Sequence, residues 1–531
     1  MIIDDQHYDL IIVGTGAGGG TLLHKLAPTG KKILVLERGN FLPKENENWN
    51  AVEVFGKGRY NAQEQWYDIS GEPFRPQTNY WVGGNTKVYG AALLRMREKD
   101  FEKVQHQDGT SPEWCVKYQE FEPYYTEAEK LYSVHGKQGD DPTEPPRSED
   151  YPCPPVSHEP RMQQICDAIS KQGLHPSHLP LGLKLNESDA DESFCIRCKT
   201  CDGFPCKVDG KGDAEVTGIV PALEFPNVTL KTDAKVVRLH TTPSGREVKA
   251  VEAEIAGHSY LFFGDIVVLA CGAVNSAALL LRSPNEQHPT GLANSSDQVG
   301  RNFMKHLLSA VVQLSPAPNP AVFQKTICVH DFYWGYSDFE YPMGHIQNTG
   351  NLLQEMILTE APPLLALLSR FMPGLGLRQL ASRTIGWWLQ TEDLPDPNNR
   401  VRVDGSKLHL DYTPNNLEAH DRLIYHWTEV LKAVDKDTNS PVGIYPYSNT
   451  TIRVVAHQCG TLRFGEDPTT SVLDLNCRTH DVDNLYVVDG SFFPSSAAVS
   501  PTLTIMANAL RVGEHLISRT SFNPVNSSNR Y

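Results

Sequence analysis

The chain has 531 residues, 40% hydrophobic and 21% charged, enough for two or three structural domains around sizeable cores and too large for a small binding module. Its formal net charge of -16, with no long basic run, argues against a nucleic-acid footprint or an anionic membrane surface as partner. The 11 cysteines are expected to be reduced thiols unless a metal or cluster holds some of them.

The first ten residues are polar and acidic and run straight into a strand, with neither a secretory apolar region nor a twin-arginine signal, so a cytoplasmic location is expected. Residues 9–13 (DLIIV) read as a strand, followed by the glycine run Gly14 to Gly20, a helix-compatible stretch over residues 21–26 and a second strand over residues 31–36. This is the arrangement that a dinucleotide fingerprint requires. Gly14 permits the tight turn, Gly16 lets backbone approach a pyrophosphate, and Gly19 lets the helix lie on the strand. Glu37, at the end of the second strand, is placed to bind ribose hydroxyls. The fingerprint alone does not separate FAD from NAD.

Further along, residues 142–160 are rich in proline and acid and read as a surface connection. Cys195, Cys198, Cys201 and Cys206 form a CxxCxxCx4C cluster, a spacing that suits zinc or an iron-sulfur centre, reduced structural thiols, or local disulfides. The favoured expectation is that no metal is bound. Residues 266–272 (IVVLACG) read as a late strand returning to the first sheet after a large insertion. Residues 302–449 are expected to supply a sheet and cap, with Trp387 and Trp388 in a strand and more often core than ligand-stacking. The apolar stretch 361–377 is broken by Pro362, Pro363, Ser369, Arg370 and Pro373, so no transmembrane segment is expected, although it suits an apolar substrate or a membrane-bound electron acceptor.

The C-terminal part carries three motifs: His457-Gln458-Cys459-Gly460-Thr461-Leu462-Arg463-Phe464-Gly465, then Leu485-Tyr486-Val487-Val488-Asp489-Gly490-Ser491, then Ser500-Pro501-Thr502-Leu503-Thr504-Ile505. With Trp81-Val82-Gly83-Gly84-Asn85-Thr86, Val299-Gly300-Arg301-Asn302-Phe303 followed by His306, and the loop over residues 392–401, they resemble the glucose-methanol-choline (GMC) oxidoreductase family in order and spacing.

The resemblance implies an α/β fold: an FAD-binding Rossmann-like domain of GMC type and an α+β substrate domain on a mainly antiparallel sheet. The expected division is residues 1–110, 210–300 and 450–531 for FAD, 111–209 for an insertion bearing the cysteines, and 301–449 for substrate. It further implies that Gly83, Gly84, Asn85 and Thr86 lie at the cofactor, as do Pro501 and Thr502. Asp489 and Gly490 would approach the flavin ribityl and phosphate region, and Val236 would meet adenine through its backbone. The run after Gly84 has no histidine for a covalent link, so FAD is expected to be non-covalent.

The implied activity is hydride removal from an alcohol carbon to flavin N5, with His457 taking the hydroxyl proton. The family usually places histidine or asparagine where this chain has Ser500, which is expected to orient the substrate oxygen by a single hydrogen bond. A sugar, glycoside or polyol is the favoured small-molecule substrate. The alternatives are an apolar alcohol such as a sterol, terpenoid or long-chain alcohol, and a non-oxidative flavoprotein. The electron acceptor (oxygen, quinone or protein) is left open.

Overall fold

The computed structural model describes residues 1–356, 374–438, 443–448, 452 and 456–519. Most of the apolar stretch 361–377 therefore lies outside the described residues; its last four residues open the helix Gly374–Ala381. Among the described residues no helix is long and apolar enough to cross a membrane.

The glycine-turn unit is built from β1 (Ile2–Val13), α1 (Ala17–Leu26) and β2 (Ile33–Leu36). β1 starts seven residues before the apolar run does. Its outer, polar half still pairs in parallel with Tyr260, Leu261, Phe263 and Gly264, so backbone hydrogen bonding extends the strand beyond the hydrophobic signal. α1 also starts early, with Gly18, Gly19 and Gly20 inside it and buried. Glycine lowers helix propensity, but here tertiary contact decides. A Cβ on Gly18 would stand 2.0 Å from the Val488 carbonyl oxygen, and one on Gly19 2.1 Å from that of Gly14. Gly18→Ala is accordingly expected to cost ~1–3 kcal/mol by overpacking, read as a lowered urea midpoint with an unchanged m-value.

Residues distant in sequence complete this sheet: β3 (Val228–Lys231), β4 (Ala234–Thr241), β5 (Val248–Ile255) and β6 (His258–Leu269), in spatial order β3-β2-β1-β6-β5-β4. β6 includes residues 266–269 of the expected returning strand, starts eight residues earlier and runs parallel to β1. A short strand, Leu485–Val487, pairs in parallel with the end of β6 and brings the C-terminal motif beside the glycine turn.

The second sheet is formed by β7 (Leu307–Leu314), β8 (Ile327–Val329), β9 (His345–Asn348), β10 (Thr384–Thr391) and β11 (Gly443–Ser448), with the two-residue strand Ser177–His178 at one edge. Every pairing in it is antiparallel, as expected. Trp387 lies in β10, fully buried, with its ring 4.8 Å from that of Trp427 on the helix α2 (Leu417–Asp437). It is core, as the commoner reading of such residues holds. The last helix, α3 (Thr502–Ser518), begins at Pro501 and lies against α1.

Candidate active site

Two glycine-rich turns meet at the N-terminus of α1. Gly14 has φ +100, and a Cβ there would lie 2.4 Å from the Ala270 carbonyl oxygen. Gly16 behaves differently: its backbone is ordinary (φ -66, ψ -164), no side chain caps the helix, and a Cβ would meet nothing within 4 Å. Gly84 closes on it from the other signature, with its Cβ position 3.1 Å from the Gly16 Cα. Uncapped first-turn N–H groups facing open room suit a pyrophosphate, which is the part of a dinucleotide this turn would hold.

Glu37 is buried beside the turn. Its Oε2 accepts from the Thr15 hydroxyl at 2.6 Å and the Thr15 N–H at 3.0 Å, and its Oε1 from the Gly39 N–H at 2.9 Å. Burial raises its pKa, and these bonds oppose the rise. Oε1 keeps one lone pair for a ribose hydroxyl. β4 is fastened to the same place: the Ala234 N–H donates to the Glu37 carbonyl at 2.9 Å, and the Asp233 N–H to that of Gly39 at 3.0 Å. Two residues on, the β4–β5 pairing slips between Val236 and Arg238, interrupting the ladder beside Val236.

The second signature is braced internally. The Gly83 N–H donates to the Thr15 hydroxyl at 3.1 Å, the Thr86 hydroxyl to the Gly83 carbonyl at 2.6 Å, and the Asn85 amide to the Gln77 carbonyl at 3.1 Å. Asn85 and Thr86 thus shape their own turn with their side chains. Asp489 is similarly occupied: its carboxylate accepts from the N–H and hydroxyl of Ser491, from the Gly272 N–H at 3.0 Å and from the Ser276 hydroxyl at 2.5 Å. Four donors fill its acceptor sites, so it ties the C-terminal motif to the end of β6. The Gly490 carbonyl accepts from the Gly460 N–H at 3.1 Å, which links the cradle to the histidine motif.

His457 is half-buried, and its Nδ1 lies 2.9 Å from the Nδ1 of fully buried His306. The far nitrogen of His306, Nε2, lies 3.0 Å from the Ala497 carbonyl. Burial drives the pKa of His457 well below the ordinary imidazole value, helped by His306, Lys305 and Lys325, while burial pushes His306 down to about 4. Both rings are therefore neutral near pH 7. The loop before Ser500 is pinned at four points. The Trp114 indole donates to the Ser495 hydroxyl at 2.8 Å, the Ser496 hydroxyl to the Asp393 carbonyl at 3.2 Å, the Ala497 N–H to Glu392 at 3.2 Å and the Ala498 N–H to the Tyr333 hydroxyl at 3.2 Å. Ser500 ends that loop, buried, with Pro501 and Thr502 opening α3 behind it.

The sequence motifs did not single out the roles of His306 and of the Asp202–Lys325 ion pair. Lys325 Nζ lies 2.9 Å from Asp202, next to Cys201 in the cysteine loop, so that loop reaches the charge environment of His457. Cys195, Cys198, Cys201 and Cys206 are four free thiols, and among the described residues no three His, Cys, Asp or Glu side chains are grouped as a metal site needs. Burial raises Cys195 to about 11 and Cys201 to about 12, which holds both as thiols rather than thiolates at neutral pH.

A glycine cradle joined by backbone hydrogen bonds to a half-buried, neutral histidine suits a cofactor-dependent oxidoreductase. The chain belongs to the GMC oxidoreductase family: the N-terminal family model matches residues 8–308 and the C-terminal model residues 394–509. Membership implies FAD, and the protein is an oxidoreductase acting on CH–OH groups. It is 30% identical to 6'''-hydroxyparomomycin C oxidase of Streptomyces lividus over 97% of this chain and 92% of that one. It is 29% identical to paromamine 6'-oxidase of Streptomyces fradiae, over 97% and 93%. Its fold matches pyridoxine 4-oxidase from Mesorbium loti with a TM-score of 0.67 at 18% identity, over 96% of this chain and 99% of that structure.

Proposed function

We propose that this protein oxidises a primary or secondary alcohol of a sugar, glycoside or polyol, with His457 as the base and FAD held non-covalently. The observation that carries the reading is a half-buried, neutral imidazole joined through Gly460 and Gly490 to the glycine cradle. Relatives named for a hydroxylated paromomycin and for paromamine support a polyhydroxylated substrate. Bound FAD supplies the two-electron acceptor.

The chain's own residues do the rest. Gly16, Gly84 and Glu37 bind the dinucleotide, with Val236 beside its adenosine end, and Gly490 offers backbone toward the flavin. His457 removes the hydroxyl proton, which raises electron density on the alcohol carbon and expels its hydrogen as hydride. The Ser500 hydroxyl, bonded to no protein group among the described residues, orients the substrate oxygen. The absence of histidine between Gly84 and Tyr89 supports non-covalent attachment.

The test is the absorption spectrum of the purified protein during anaerobic addition of paromamine, D-glucose, methyl glucoside, glycerol, 1-octanol and cholesterol. Flavin bands are expected to bleach with one of the polyhydroxylated compounds and to be released intact by acid precipitation. Bleaching by 1-octanol or cholesterol alone would overturn the substrate class, and flavin that stays with the precipitate would overturn non-covalent attachment. Readmitting air or a soluble quinone then identifies the acceptor by which of them restores the bands.

A further inference from the structure

The contact between His306 and His457 has a direction, fixed by chemistry at its far end. A backbone carbonyl has no hydrogen to give, so His306 Nε2, 3.0 Å from the Ala497 oxygen, carries the proton. A neutral imidazole has one N–H, so His306 Nδ1 is a bare acceptor. His457 Nδ1, 2.9 Å away, must then be the donor, and His457 Nε2 is left with an open lone pair. The rings meet nitrogen to nitrogen, with centroids 5.0 Å apart and planes crossed at 87°.

The fold builds this contact deliberately. Met304 and Cys459 exchange both backbone hydrogen bonds, at 3.0 and 2.9 Å, and His306 and His457 stand two residues further along the same pairing. His306 holds φ +73, a left-handed conformation costly for a side chain of that size, and its partner residue Ala497 holds φ +53. Backbone strain on both members of a buried hydrogen bond is maintained only where surrounding structure enforces it, here by the four anchors on the loop before Ser500.

We propose that His306 is a positioning residue for the base: it locks His457 in the Nδ1–H tautomer, so that Nε2 is the atom that accepts the alcohol proton. The inference rests on the reading of His457 as base. In the step itself the substrate O–H bond breaks and an Nε2–H bond forms. The imidazolium keeps its Nδ1–H on His306, a hydrogen bond that strengthens as charge develops. Protonating His306 would reverse the pair, making His457 Nε2 a donor and ending catalysis. The charged groups that face the pair are Lys305 and Lys325 toward His457, and Lys305 and Glu392 toward His306.

Two measurements on the FAD-loaded protein test this. Nitrogen-15 spectra of histidine-labelled protein, assigned with His306→Asn and His457→Asn, are expected to show pyrrole-type Nδ1 and pyridine-type Nε2 for His457 and the reverse for His306. An Nε2–H tautomer of His457 would overturn the proposal without any substrate. In the second, the rate of anaerobic flavin reduction by the fastest-reducing alcohol of the panel above is compared across variants. His306→Leu, which removes the acceptor, should slow it at least about 10-fold with little change in KM, a fraction of what a misplaced base loses. His306→Asn, which tolerates positive φ and keeps an acceptor, should recover most of the rate and stands in if the leucine variant does not fold. In a His457→Ala background His306→Leu should have no further effect, and multiplying losses would refute action through His457. If His457→Ala alone reduces flavin as fast as the unsubstituted protein, the base assignment fails, whereas the tautomer result stands or falls separately.

Discussion

Replacing His457 by alanine is expected to lower the rate of flavin reduction by about 10²–10⁴-fold, the usual contribution of a positioned general base, or ~3–5 kcal/mol of transition-state stabilisation. FAD content and the oxidised flavin spectrum should be unchanged, because the contacts that join this segment to the cradle are backbone ones, from the Gly460 N–H to the Gly490 carbonyl. The pH dependence follows from the direction of the pKa shift. In the proposed role the neutral ring is the active form, and burial holds the His457 pKa well below its ordinary value. Reduction should therefore stay level as pH falls through about 6.5, where a free histidine loses its lone pair, and decline only in more acidic solution. A midpoint at or above that ordinary value would show that His457 is solvated in the working enzyme, contrary to its place against His306. Equal rates for the alanine variant would remove it from the proton transfer altogether.

What the sequence revealed, and what it hid, follows from the range of the forces involved. The strand–turn–helix unit was legible because its glycines answer to local constraints: Gly14 and Gly19 stand where any Cβ would strike a neighbouring carbonyl, at 2.4 and 2.1 Å. Element ends were less legible, since Gly18 to Gly20 read as helix breakers, although their close contacts with Val488 and Ala214 make them necessary inside α1. The antiparallel second sheet was expected through family resemblance, and all its pairings agree. The histidine pair was not expected, because its members are 151 residues apart and no periodicity links them. A signal was present: His306 follows the Val299 to Phe303 motif that carries part of the family resemblance. Asp489 shows the opposite limit. The family resemblance reads its carboxylate as a cofactor contact, yet four protein donors take its lone pairs.

Gly16 separates ligand binding from folding more cleanly than any other position in the cradle, and Gly16→Val is expected to weaken FAD binding strongly while leaving the fold intact. Its φ of -66 and ψ of -164 lie in the extended region open to every residue, so no glycine is required for the backbone. A Cβ would meet no protein atom within 4 Å, so no glycine is required for packing either. What remains is the need for something outside the chain to approach the Cα, at the point where uncapped N–H groups of α1 face outward. The valine side chain would fill that room and weaken FAD by about 10²-fold or more, ~3 kcal/mol. The protein prepared without flavin should unfold within ~0.5 kcal/mol of the unsubstituted chain, as surface substitutions do, while the rise in Tm on adding FAD disappears. Gly14→Val supplies the contrast: with φ +100 and a carbonyl 2.4 Å from the new Cβ, it should destabilise the flavin-free protein as well. If the Gly16 variant still takes up one FAD per chain with undiminished affinity, the pyrophosphate does not cross α1 at this turn, and the cradle formed by Gly16, Gly84 and Glu37 is not where the dinucleotide lies.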